Sequence, residues 1–229
     1  MCGRFTLTAD ADELAEEFDL IAGASLPPRY NIAPTQPVPI VRVLGDRDVR
    51  RLDPLRWGLV PPWAKDPSIG NRMINARSEE AAAKPSFRTP LRRQRCLVPC
   101  TGFYEWKRPA SDPRGNKTRQ PYYIRRRDER VFALAGLWER WQGSDGTVVE
   151  SFTILTTEAN ELVRPLHDRM PVIVAPKHYA LWLDPGMQDV DRLVPLLRPH
   201  PAEGFLAFEV DCYVNSPAHD DPRCIQAKP

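Results

Sequence analysis

Cys2 follows the initiator methionine directly. A residue this small at the second position allows the methionine to be trimmed off. Cys2 would then carry two nucleophiles, a free α-amine and a thiol. An α-amine ionises near about 7.7–8.0 and a thiol near about 8.5, so both are partly deprotonated around neutral pH. An aldehyde meeting such a residue forms a Schiff base with the amine, and the thiol then closes a five-membered thiazolidine. That chemistry needs no cofactor. Read alone, a Met-Cys start is more often just a small strand residue at a frayed chain end.

Three further polar residues have types suited to proton transfer or orientation. Glu105 lies between Tyr104 and Trp106. A carboxylate buried among aromatics has a raised pKa, although strand alternation would equally put Glu105 on a polar face. His167 precedes Asp168-Arg169 in a loop; histidine is the natural general acid or base near neutral pH, and a loop histidine is also often a solvated bystander. Asn75 could orient a reacting group or cap a helix starting at Ala76. Cys96 and Cys100 have C-x3-C spacing with no second pair nearby, which argues against structural zinc and for buried, inert thiols. No GxSxG, HExxH, P-loop or dinucleotide fingerprint occurs.

Composition limits the alternatives. At 229 residues with 42% hydrophobic content the chain can bury a substantial core, and 25 prolines argue against long helices. No run of about 18 apolar residues suggests a membrane span, and no signal peptide is visible. Five separated cysteines without an export signal fit a reducing, cytoplasmic setting. The net charge of +2 is uneven: residues 85–130 hold 13 Lys or Arg against 4 Asp or Glu, +9, leaving −7 elsewhere. A basic face of this kind fits a polyanion such as nucleic acid, and is also compatible with a solvated arginine-rich surface.

The elements that must position these residues are short. The pattern predicts strands at Cys2–Leu7, Val38–Leu44, Val49–Leu55, Cys96–Cys100, Phe103–Lys107, Tyr122–Arg126, Val131–Leu137, Val148–Thr156, Val172–Val174 and Phe205–Asp211. Helices are expected after a Thr8 cap to Phe18, from Asn75 through Ala83, and over Phe87–Arg93, His178–Leu183 and Asp189–Leu197. Residues 27–34 and 166–171 read as loops, residues 108–120 as a mobile loop, and the tail after Val214 as irregular. Trp57 and Trp63 flank Gly58 and a proline pair on a stiff loop, as core or lid residues or as a platform for stacking bases. No βαβ alternation repeats. The fold expected is one α+β domain with a mostly antiparallel, barrel-like sheet and short flanking helices.

Six segments occur together in order: Met1-Cys2-Gly3-Arg4, Tyr30-Asn31-Ile32-Ala33-Pro34, Arg56-Trp57-Gly58-Leu59-Val60-Pro61, Ile74-Asn75-Ala76-Arg77-Ser78-Glu79, Arg95 through Trp106, and His167-Asp168-Arg169-Met170-Pro171. In this the chain resembles the SRAP domain family, the SOS response-associated peptidase-like proteins that crosslink to abasic DNA, over residues 2 to about 215. The resemblance implies one SRAP domain, acting in the DNA damage response. Its N-terminal Cys2 would form a stable thiazolidine with the ring-opened aldehyde of an abasic site in single-stranded DNA, shielding the lesion. It also implies Asn75, Glu105 and His167 as the polar residues around Cys2. Arg4, Asn31, Trp57, Trp63, Arg77, Trp106 and Arg169 lie in matched motifs and would border or bind the strand. No metal, other cofactor or membrane is implied, and a monomer suffices. A lyase activity, a cysteine peptidase that removes its own Met1, and a non-catalytic single-strand binding module remain as alternatives.

Overall fold

Every residue of Arg95–Cys100 is buried, so this segment is a strand covered on both faces rather than an alternating one. The sheets form around it in the computed structural model, which describes residues 2–21, 26–45, 49–107 and 119–228. In chain order the strands are β1 (Phe5–Leu7), β2 (Arg29–Ile32), β3 (Pro37–Val43), β4 (Arg50–Trp57), β5 (Asn75–Arg77), β6 (Arg95–Cys100) and β7 (Gly102–Lys107). They continue with β8 (Gln120–Arg126), β9 (Phe132–Gln142), β10 (Val148–Glu158), β11 (Arg169–Pro171), β12 (Ile173–Val174) and β13 (Phe205–Glu209). Helices α1 (Ala11–Phe18), α2 (Ser78–Ala81), α3 (Arg88–Arg93), α4 (Tyr179–Leu183) and α5 (Val190–Leu193) are short, and single 3₁₀ turns fill several connections.

Strands β3, β4, β6, β9 and β10 pair in a closed ring, β4–β3–β6–β9–β10 and back to β4. The β10–β4 pair is parallel and the other four are antiparallel. This closed ring leaves no free edge within itself. At its far end β10 carries β5 in parallel on one edge and β11 in antiparallel on the other, with Thr156 opposite both Arg77 and Pro171. A second, antiparallel sheet has the order β13–β8–β7–β1–β2. Cys2, Phe5, Trp57, Leu97, Phe103 and Phe152, drawn from both sheets, share one buried cluster. The α+β, largely antiparallel and barrel-like architecture expected from the sequence is the one observed.

Where local expectation and structure differ, long-range pairing decides. Residues expected to form a loop make β2, because Ile32 and Arg29 pair with Phe5 and Leu7 of β1. Asn75, expected to open a helix, instead pairs with Ile154 as part of β5, and α2 begins at Ser78. Arg169–Pro171, likewise read as loop, is β11 on the edge of β10. Helix α1 is capped by Asp10, which accepts the Glu13 N–H at 2.8 Å, while the Thr8 hydroxyl is turned to Thr101 at 3.2 Å. Beyond Val214 the tail makes a 3₁₀ turn at Pro222–Ile225 and a bridge between Val210 and Ala227. The loop expected to be mobile falls outside the described residues over 108–118, and Gln120 already belongs to β8.

Gly58 is fixed by geometry. Its φ is +127°, and a Cβ there would sit 2.5 Å from the Gly70 carbonyl oxygen, an arrangement open only to glycine. This close approach carries the chain from β4 into the loop bearing Trp63. Trp57 sits at the other side of the turn with no exposure, its ring edge-on to Phe5 at 5.1 Å and its indole N–H donated to the Ile74 carbonyl at 2.9 Å. Trp63 is 58% exposed. Trp57→Ala should therefore lower the unfolding free energy by about 3–5 kcal/mol, whereas Trp63→Ala should change it by no more than about 0.5 kcal/mol. Urea denaturation of the two variants measures both.

Candidate active site

Cys2 is held in place by the strand that follows it. Phe5 pairs with Phe103 on one side and Ile32 on the other, and the Tyr104 N–H extends the ladder to the Arg4 carbonyl at 3.0 Å. Cys2 is completely buried. Its own carbonyl accepts the Asn75 Nδ2–H at 2.8 Å, which ties the chain start to β5. Asn75 Oδ1 is buried with no hydrogen-bond partner among the described residues. A buried amide oxygen in that condition is costly unless a donor arrives.

Glu105 comes from β7, the neighbour of β1. It is 2% exposed, so the polar-face reading does not hold: Phe103, Tyr104 and Glu105 are all buried in succession. Burial raises its carboxyl to about 6, and the negative charge of Asp168 adds to the rise. Burial likewise pushes the Cys2 thiol far above the ordinary thiol range, with the Glu105 carboxylate adding to it. The two groups therefore share one low-dielectric environment, and the thiol is neutral there near pH 7.

His167 ends the turn before β11. Its Nδ1 accepts the Arg169 N–H at 2.9 Å and also lies 2.8 Å from Asp168 Oδ1. One nitrogen cannot accept the first and donate to the second at once. The backbone N–H keeps its proton, so the neutral ring carries its hydrogen on Nε2. Cys2, Asn75, Glu105 and the His167-Asp168 pair are thus linked in one region by a hydrogen bond and by mutual charge effects.

The seven residues expected along the strand separate into different environments. Arg77 and Trp63 are exposed, and Arg77 makes a surface pair with Glu80 at 3.2 Å. Arg4 is half-buried, with Nη1 donating to Asn31 Oδ1 at 2.9 Å. Trp106 is half-buried and donates its indole N–H to Asn215 Oδ1 at 2.8 Å. Arg169 grips Glu79 in a two-pronged pair at 2.9 and 2.8 Å and donates to the Thr156 carbonyl, so its charge is already matched. Two expectations are corrected. Trp57 is core and cannot stack on a base. Asn31 has no exposure, and both ends of its amide are engaged inside the protein. The basic segment is not one face either: Arg95 is buried against the carbonyls of Leu91 and Trp182, and Arg125, Arg126 and Arg130 are paired with Glu129, Asp128 and Glu16.

Residues 1–217 match the family described as SOS response associated peptidase (SRAP). The chain belongs to the SRAP family. It is 44% identical over 230 residues to the abasic site processing protein YoqW of Bacillus subtilis (strain 168), covering 99% of this chain and 100% of that protein. The abasic site processing protein HMCES of Rattus norvegicus is 30% identical over 233 residues, covering 86% of this chain and 64% of that protein. A crystal structure of a Bacteroides thetaiotaomicron protein superposes with a TM-score of 0.85 at 28% identity, covering 99% of this chain and 100% of that one. No helix of the described residues is long and apolar enough to cross a membrane, and no group of three His, Cys, Asp or Glu among them is placed to hold a metal ion.

Within this SRAP chain, sequence reasoning missed two acids. Asp168 stood in a quoted motif beside His167, and its charge acts on both His167 and Glu105. Asp220 binds the backbone of β2 from 190 residues away and left no local signal. The Glu105 environment has a measurable consequence. A carboxyl whose folded pKa (about 6) exceeds its ordinary value of 4.5 binds its proton more tightly when folded. Stability is then present below the lower value and is lost as pH rises through the upper one. Glu105→Gln should be more stable than the parent at pH 7, on the order of 1–2 kcal/mol. The difference should vanish near pH 4, as followed by thermal unfolding across pH.

Proposed function

We propose that this protein processes abasic sites in single-stranded DNA, with Cys2 forming a covalent thiazolidine at the lesion and shielding it from strand cleavage. The names of the relatives at 44% identity support the DNA lesion as target. The observation that carries the chemistry is the burial of Cys2 at the second position of the chain, its carbonyl held by Asn75 and Glu105 beside it. The reading requires that Met1 be removed first, by the protein itself or by other means. It places the protein inside the cell as a one-domain monomer.

Each step balances. His167 protonates the sugar ring oxygen as the bond from that oxygen to the anomeric carbon breaks, and the anomeric hydroxyl gives up its proton to water, so the ring opens to an aldehyde with no net change in protons. The α-amine nitrogen attacks the aldehyde carbon, giving a carbinolamine that loses one water to become an imine. The thiol sulfur then adds to the imine carbon while its hydrogen ends on nitrogen. The product is a thiazolidine, and one water is released overall. Glu105, with its carboxyl raised to about 6, changes protonation state at little cost close to neutral pH, so it takes the proton from the ammonium and returns it during imine formation. The orphaned Asn75 Oδ1 is an acceptor for the amine N–H or a sugar hydroxyl. The elevated thiol pKa supports this order, with amine first and sulfur second. It runs opposite to the lowered pKa of a thiolate that attacks peptide carbonyls.

Incubation with an oligonucleotide holding one abasic site, followed by a denaturing gel and intact mass, tests the reading. Wild type should gain the oligonucleotide mass less one water, and Cys2→Ala should gain none. Asn75→Ala should slow the capture by up to about 100-fold through misplacement of the amine. A crosslink made by protein that still carries Met1 would overturn the mechanism.

A further inference from the structure

The C-terminal residues 211–228 lie across the entrance to β1 and close around one side chain. The Asp220 carboxylate accepts the Tyr30 and Asn31 N–H groups at 2.5 and 2.9 Å and pairs with Arg29. The Asn31 amide then reaches three carbonyls of this segment, Val214 at 3.0 Å, Ser216 at 2.9 Å and His219 at 2.7 Å. Its oxygen faces the other way and accepts from Arg4 Nη1 at 2.9 Å. The same guanidinium donates to the Val214 carbonyl at 3.1 Å and to the Asn215 carbonyl at 3.4 Å. Trp106 holds Asn215 through its side-chain oxygen at 2.8 Å.

A guanidinium has five N–H donors, and these bonds use three. Among the described residues the Nε–H and one Nη2–H are the donors left over, and together they form the edge that grips an oxyanion in two-pronged fashion. No carboxylate among the described residues pairs with Arg4, in contrast to Arg169, which is matched by Glu79. Arg4 is thus a half-buried cation, oriented by neutral acceptors, two residues from Cys2.

We propose that Asn31 and the C-terminal segment are a positioning device, which holds the Arg4 guanidinium so that its free edge meets a DNA backbone phosphate beside the captured sugar. Asn31 then acts through Arg4 without touching DNA. This rests on the function proposed above and adds the residues that orient the strand.

The test measures affinity for a single strand carrying a tetrahydrofuran analogue of the abasic sugar, which has no aldehyde, across a salt series. Each phosphate contact on a single strand contributes about 0.7 to the slope of log affinity against log salt. Arg4→Ala should reduce the slope by about that amount. Asn31→Ala should reduce it equally, and the double variant should fall no further. Trp106→Phe, which loosens Asn215 without opening the core, should shift the slope in the same direction and likewise add nothing to Arg4→Ala. It serves if Asn31→Ala does not fold by circular dichroism. A folded Asn31→Ala or Trp106→Phe with the wild-type slope, additive losses, or a wild-type slope in Arg4→Ala would each overturn the proposal. Failure of the wild type to crosslink a true abasic strand would instead defeat the function proposed above, leaving this salt measurement readable on its own.

Discussion

Chain ends ordinarily fray, because the last residues lack neighbours on one side. Here the second residue is in the core, and much of the site depends on that constraint. Cys2 leads into β1, which is flanked by β7 and β2, and its carbonyl is bound by a side chain from the barrel. A side chain on so secured a segment has little conformational freedom left to lose. The same burial sets the electrostatics: the thiol is kept neutral and the adjoining carboxyl is brought close to neutrality in its proton affinity.

The site forms where the two sheets meet. The smaller sheet supplies Cys2 and Glu105 from the region of β1 and β7. The barrel supplies Asn75 and the His167-Asp168 pair from segments on opposite edges of β10. With strands about 4.8 Å apart, those two edges stand roughly 10 Å from one another with β10 between them. The arrangement leaves polar groups in unfavourable surroundings, notably the unpartnered Asn75 oxygen and the buried Glu105. A fold selected for stability alone would have removed them, and such local conflicts are characteristic of working sites.

Much of this was legible from residue types. The apolar runs at Cys96–Cys100 and Val131–Leu137 were readable as strands, and they form most of β6 and the first half of β9, because hydrophobic pattern reflects burial directly. The order of six motifs pointed to the family, and Cys2, Asn75, Glu105 and His167 do come together in one region. Roles that depend on which way a side chain faces were not legible. Trp57 and Trp63 are six residues apart on one turn, yet one is core and the other exposed, because the backbone at Gly58 turns between them. Asn31 looked like a strand contact and is an internal clamp, since its partners lie about 185 residues away.

By itself, then, the sequence determined the family, the mixed α+β class and the residues whose functional groups have the right types for the proposed chemistry, including the capacity of an N-terminal cysteine for paired nitrogen and sulfur reaction. These follow from composition, short-range pattern and the intrinsic reactivity of functional groups. The tertiary structure decided which loops became strands, which arginines meet carboxylates and which meet carbonyls, and which ionisable groups are buried. Those properties arise from pairing and desolvation between residues distant in the chain, and no local window contains them.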